Sequence, residues 1–330
     1  MRIFTRLVSI FGAVAAVMLI AIGAPVNAQS QNSGSGIFIS PVRTELVINP
    51  GETKTVTVTI KNVTNANATY KAIINDFIAG DNEFGQPALI LDDDKYAPSH
   101  SLKRHIAAIP DIAVNAGQSK DVKVNVTIPK DAAGGGYFGA VRFLAVGGKQ
   151  GQNITLSASV GSLILVRVPG DIKESMTLAS FDVRRSEKAN SGSAYFTTNK
   201  NLYVVARFKN TGNVHEQPFG KIVVHKGDKV LQTTEINNTD PKGNVLPDSI
   251  RRFSVKLNKV GTWGKYTVEG NFGYGTTGQL VSGKTSFFVL PLALIIAGVV
   301  LLGLIMFAIF GLPRAIKRYN AGVVRKAGRR

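Results

Sequence analysis

Few residues in this chain are of types that do chemistry, and their spacing is informative mainly by exclusion. His100, His105, His215 and His225 show no H-E-x-x-H or comparable metal-ligand spacing. Asp92, Asp93 and Asp94 could attract a calcium ion, but an EF-hand loop alternates its ligands and that pattern is absent, so the three read as a solvated loop. The run Gly134-Gly135-Gly136-Tyr137-Phe138-Gly139 formally satisfies G-x-G-x-x-G. A dinucleotide fingerprint opens a helix, whereas this run leads into the strand-like Ala140–Val146, so the glycines read as a tight turn or bulge. No G-x-S-x-G elbow occurs. The 330 residues contain no cysteine, which removes thiolate nucleophiles, cysteine metal sites and disulfides together. The expectation is a protein that binds rather than catalyses, with no cofactor and no metal.

The elements that must position these residues are short strands. Thr53–Ile60, TKTVTVTI, alternates apolar and polar residues at period two after the turn signal Asn49-Pro50-Gly51. Thr69–Phe77, Asp121–Ile128, Gly136–Val146 and Thr155–Val168 follow the same logic, and Val56/Val58/Ile60 and Val122/Val124/Val126 read as matched faces of one sandwich. Between Gly80 and His105 the pattern breaks into a long loop or insertion, and loops of that length are often functional. After Val168-Pro169-Gly170 a second set begins: Met176–Arg184, Leu202–Asn210, the pair Lys221–Lys226 and Lys229–Thr234 around Gly227-Asp228, then Ser249–Leu257, Lys265–Tyr274 and Leu280–Val289. Seven short strands in such a length is the immunoglobulin-like pattern. The predicted fold is all-β: two tandem immunoglobulin-like β-sandwiches, over 37–170 and 171–286, plus one C-terminal transmembrane helix. Five N-x-[ST] sequons, at Asn62, Asn67, Asn125, Asn153 and Asn237, read as strand and turn residues.

Both ends of the chain carry membrane signals. No charged residue lies between Lys284 and Arg314, a run of 29 positions, and about 20 apolar residues already cross a bilayer core. The span is placed at 287–312. The tail 313–330 holds Arg314, Lys317, Arg318, Arg325, Lys326, Arg329 and Arg330 with no acid, which predicts a cytoplasmic tail and an extracellular remainder at the plasma membrane. At the other end, Arg2 and Arg6 precede the apolar run Leu7–Ala24. Val26-Asn27-Ala28 then predicts a signal peptide over 1–28, cleaved between Ala28 and Gln29, with 29–36 as a flexible leader.

The net charge of +18 suggests nucleic acid until it is divided. Without the seven tail charges, Arg2 and Arg6, 30 Lys and Arg face 21 acids, a dispersed surplus of +9 with no like-charge run. That surplus suits an anionic wall polymer or an ordinary solvated surface, and gives no reason to expect nucleic acid.

Four stretches resemble a known family. Residues 128–146, IPKDAAGGGYFGAVRFLAV, and Asn49–Asn62, NPGETKTVTVTIKN, resemble the first domain of the WxL-interacting surface proteins. Asn244–Leu257, NVLPDSIRRFSVKL, with Gly264–Gly275, GKYTVEGNFGYG, resembles their second. The resemblance implies a wall-associated adaptor: a first domain that binds peptidoglycan, a second assigned to host matrix and adhesion, and surface proteins bearing Trp-x-Leu as partners. Trp263 is followed by Gly264-Lys265, so this chain is not itself such a protein. The alternative reading is a chaperone that assists surface-protein assembly by strand pairing.

Overall fold

The structure is a computed structural model that describes residues 36–146 and 159–327. The predicted signal peptide with its cleavage point at Ala28 and Gln29, most of the leader, the sequon at Asn153, and Arg329 and Arg330 lie outside the described residues.

Strands dominate. The first half runs β1 (Ile37–Ser40), β2 (Arg43–Val47), β3 (Thr53–Asn62), β4 (Ala68–Ala79), β5 (Pro87–Leu89), a 3-10 turn (Lys103–His105), β6 (Ile112–Val114), β7 (Ser119–Thr127), β8 (Gly135–Val146) and β9 (Val160–Val168). One sheet is ordered β1-β3-β7, the other β2-β9-β8-β4-β5 with β6 also on β4. The period-two pattern of β3 turns Val56, Val58 and Ile60 into a core with Tyr70, Phe143 and Ile164 of the second sheet. Its threonines face solvent, where Thr55 and Thr59 donate to Asn125 (2.8 Å) and Asp121 (2.7 Å) across the strand pair.

Two expectations change here. Val56/Val58 and Val124/Val122 are not opposed across two layers; they are cross-strand partners in one sheet, which is why their patterns match. Gly80–His105 is not shapeless either, since β5 pairs with β4 and the segment packs back on the sheet.

The second half runs β10 (Met176–Arg184), β11 (Tyr195–Phe196), β12 (Tyr203–Asn210), β13 (Phe219–Lys226), β14 (Lys229–Ile236), β15 (Ile250–Lys256), β16 (Gly264–Tyr274) and β17 (Gln279–Val289). Sheets β10-β12-β15 and β11-β17-β16-β13-β14 close over a core that includes Phe208, Phe272, Tyr266 and Phe287. The Gly227-Asp228 hairpin forms as expected, with Lys226 opposite Lys229.

The start of the apolar run moves. Phe287–Val289, read as the beginning of the span, are the end of β17, and Phe287 and Val289 are fully buried. An uncharged run can hold the last core strand and a helix together, and charge alone does not divide them. A boundary at 286 would cut the core. The helix begins after Pro291 as α1 (Leu292–Met306), passes a π-helical turn (Phe307–Gly311) and continues as α2 (Leu312–Ala327). It is long and apolar enough to cross a membrane over Leu292–Ala321, and none of it is buried.

Polar contacts join the two halves. Glu83, at the tip of the β4–β5 loop, accepts from the guanidiniums of Arg207 on β12 and Arg252 on β15, and its carbonyl accepts from the Arg252 amide at 2.8 Å. The Arg207 hydrogen bond is the largest influence holding the Glu83 carboxyl below its ordinary value; burial opposes it. Glu45 accepts from Asn244 (2.7 Å) and Gln217 (2.9 Å), and Asn213 donates to the Gly134 carbonyl at 3.2 Å. These bonds leave two buried titratable neighbours, His215 and Glu216. Burial lowers His215 to about 4 and raises Glu216 to about 7.

The two act on stability in opposite directions. His215, depressed on folding, contributes stability that is lost as pH falls from 6.5 toward about 4. Glu216, raised on folding, contributes stability that is lost as pH rises from 4.5 through about 7. Glu216→Gln is therefore expected to stabilise the chain by ~1–3 kcal/mol at pH 8 and by much less at pH 5. Urea unfolding at the two pH values reads the difference, and an equal effect at both would remove Glu216 as the titrating group.

Candidate functional site

The Gly80–His105 segment is held in place by buried polar groups of β4. Asp76 is fully buried, and its two carboxylate oxygens accept from the amides of Ala97 (2.9 Å) and Lys103 (2.8 Å). Asn75, also fully buried, donates to the Ile90 carbonyl at 2.8 Å and accepts from Arg142 at 2.8 Å. A buried carboxylate needs such donors, and these come from the loop backbone itself, so the charge and the loop conformation require each other. Leu102 anchors the loop, fully buried over Gly139, where a side chain's Cβ would sit 3.1 Å from the Leu102 Cβ.

A groove of about 480 Å³ opens between this loop and the β7–β8 connection. Tyr137 forms its floor, with His100 edge-on at 5.0 Å and His105 at 5.6 Å between ring centroids. The Tyr137 hydroxyl donates to the Ala133 carbonyl at 3.0 Å, which fixes the ring. Burial, and then Asp131, push that hydroxyl's pKa up. Arg104 and Asp131 stand on the walls, and the Arg104 guanidinium lies 4.1 Å from the Tyr96 ring centre. Burial, then Arg104, pull His105 below its ordinary value while Asp76 opposes them, so the imidazole is neutral at pH 7 and can both donate and accept.

His100 takes a left-handed backbone (φ 53°) beside Gly135. A Cβ on Gly135 would meet the His100 ring at 2.9 Å and the Asn213 carbonyl at 3.1 Å. The triple glycine is thus more than a turn. It lets β8 start directly against the second half, where the Gly136 amide donates to the Asn213 carbonyl at 2.8 Å. Beyond the 97–100 loop a further cleft of about 600 Å³ continues between the halves, lined by Phe138, Glu83 and Asp248 among others.

The arrangement is a groove over the largely buried Tyr137 ring, walled by the exposed Arg104, one carboxylate and two imidazoles. It can exchange hydrogen bonds with hydroxyl, amide and carboxylate groups. It holds no activated nucleophile.

The other residues singled out by sequence fall elsewhere. Asp92 pairs with Lys95 at 2.6 Å and the Asp93 carbonyl accepts from Lys103 at 2.6 Å. Among the described residues no group of three or more metal-type side chains assembles. His215 and His225 lie in the second half, away from the groove. Asn62 is buried with its amide donating to the Ala66 and Val114 carbonyls, and the Asn237 amide donates to the Pro218 and Gly243 carbonyls. Arg314, Lys317 and Arg318 are exposed on α2, and Arg325 and Lys326 fall near its end. The groove was missed because its residues come from two segments about 30 positions apart; the one local signal was the length of the Gly80–His105 loop.

Asp76→Asn is expected to destabilise the chain by ~1–3 kcal/mol, because an amide nitrogen would face a backbone donor. It should also accelerate hydrogen exchange at Ala97 and Lys103. Denaturant unfolding and amide exchange read the two effects, and unchanged exchange would mean the loop is held by something else.

Comparisons with known proteins bear on this region. Residues 45–145 match the family model described as the WxL Interacting Protein, peptidoglycan binding domain. No curated protein matches. Among solved structures, the chain is similar to the class 5 fimbriae chaperone CfaA at 14% identity and TM-score 0.36, covering 78% of this chain and 100% of that one. It is likewise similar to the E. coli chaperone DraB at 14% identity and TM-score 0.33, covering 77% and 96%. The stretches that resembled the first domain fall within or at the edge of the match. The match over residues 45–145 makes this part of the chain similar to the peptidoglycan binding domain of the WxL-interacting proteins.

Proposed function

We propose that this chain is a membrane-anchored cell-surface binding protein that takes peptidoglycan in the Tyr137 groove. One observation carries the reading: all the groove residues, from Ala97 to Tyr137, lie inside the residues that match the peptidoglycan-binding family. The chemistry is consistent with that polymer. Sugar rings present apolar faces that pack against the exposed Tyr96 at the rim, N-acetyl groups exchange hydrogen bonds with His100 and His105, and peptide-stem carboxylates pair with Arg104.

The helix beginning at Leu292 is the anchor in this reading, and the basic tail lies in the cytoplasm with the strands outside. Cleavage of the signal between Ala28 and Gln29 completes the topology. The second half extends the adaptor role to partner surface proteins, and the dispersed surplus of positive charge adds a screened attraction to anionic wall polymer. The domain divisions near residue 170 and before Leu292 are part of the same proposal.

Co-sedimentation of the full chain in mild detergent with purified cell walls tests this. Arg104→Ala and His105→Ala should each weaken binding by about tenfold, equivalent to ~1.4 kcal/mol. Lys123→Ala, on the exposed face of β7, should leave it unchanged. Binding that persists in high salt, and on walls stripped of anionic polymer, supports a glycan site. Loss of binding under both conditions, with no effect of either groove variant, would replace it with simple charge attraction.

A further inference from the structure

The end of the second half that leads into α1 carries a surface unlike the rest of the molecule. Trp263 is 63% exposed, Tyr195 69%, Phe288 39% and Leu290 44%. They form one patch by strand register. Tyr195 pairs with Phe288 and the two rings stack at 5.5 Å and 13°. Gly264 pairs with Val289, and Trp263 and Leu290 are the residues just beyond the two paired strand ends. Phe288 precedes the first residue of α1 by only four positions, so the patch cannot move far from where that helix starts.

Apart from Asp228, the charge around the patch has one sign. The Lys226 ammonium lies 5.4 Å from the Trp263 ring centre and donates to the Trp263 carbonyl at 3.1 Å. Lys265 lies 5.8 Å from the Phe288 ring. Lys200 and Lys259 sit on the neighbouring exposed connections, tied together by the Asn199 amide donating to the Val260 carbonyl at 2.8 Å, and Lys229 flanks the Gly227-Asp228 turn. Asp228 is the one acid in these connections. Exposed Trp and Tyr with flanking lysines is the composition that settles at the headgroup level of a bilayer, where the rings have one apolar and one wet side. The lysines there lay their stems along the rings and hold their charge toward phosphate.

We propose that this end of the second half rests on the bilayer surface, with Trp263, Tyr195, Phe288 and Leu290 entering the headgroup region and the lysines meeting anionic lipid phosphates. The proposal rests on reading α1 as a membrane span, and adds that the strands are seated on the membrane rather than tethered above it. Seated this way, the strand ends fix the second half against the bilayer and present its opposite end, with the first half, away from it.

The chain reports on this by itself, because Trp263 is its only tryptophan and it has no cysteine. The full chain is reconstituted into phosphatidylcholine–phosphatidylglycerol vesicles whose acyl chains carry bromine either near the carbonyls or near the bilayer centre. Trp263 emission should shift to the blue and fall at least about twofold with shallow bromine, and fall less with deep bromine. Tyr195→Ser with Phe288→Ser should reduce the shallow quenching, and Lys226→Gln with Lys265→Gln should remove its dependence on the phosphatidylglycerol fraction. A fluorophore on Val300→Cys, within α1, reports the span independently through deep bromine. A quenched Val300 probe with unquenched Trp263 overturns the docking and leaves the span. No quenching at either position overturns both. Unquenched Trp263 whose emission depends on protein concentration overturns the docking in favour of a second copy covering the patch.

Discussion

The buried carboxylate of Asp76 is the constraint on which the functional geometry depends. A charge in the interior of a β-layer is tolerated only if donors reach it, and here the donors are the loop amides of Ala97 and Lys103. Satisfying them draws the Ala97–Lys103 stretch across the edge of β4 and β8. That one act sets Leu102 into the core, turns His100 and His105 toward Tyr137 and leaves Arg104 on the rim beside Tyr96. An irregular segment thereby becomes as fixed as the strands beneath it, which is what a binding surface requires of its scaffold.

The junction between the halves follows the same rule. Glu83 sits at the tip of a loop, where a single acid satisfies two arginines of the opposite sheet. Side chains around Glu45 and backbone bonds at Gly136 and Asn213 add to the contact, and Leu246 of the second half packs on the apolar cluster of Phe77, Phe138, Ala140 and Leu165. Directional bonds fix an angle, and the cleft that continues the Tyr137 groove between the halves has its shape from them.

Much of the fold was legible in the residues. Period-two alternation in TKTVTVTI, the Gly227-Asp228 hairpin and the order of strands in the second half follow from local chemistry, and the structure has them. Pairing was less legible: Val56/Val58 and Val122/Val124 announce buried faces, but adjacency in one sheet is a long-range fact that alternation does not encode. The strand end at Val289 was legible, but the start of the span was set three residues inside it, because a core strand and a lipid-facing helix are equally uncharged. The groove was the least legible part. Asp76 in a strand, two histidines in a loop and a tyrosine in a glycine run have no common spacing, and only the folded chain makes them neighbours.

The central claim is that the loop fixed by Asp76 and the floor formed by Tyr137 receive the wall polymer. Hydrogen exchange of the full chain with and without soluble peptidoglycan fragments tests it most directly, since it needs no variant and surveys every strand at once. The account predicts added protection confined to 97–105 and 129–137, with β3 and β7 unchanged. Protection on the outward face of β3 and β7, or in the second half alone, would contradict it.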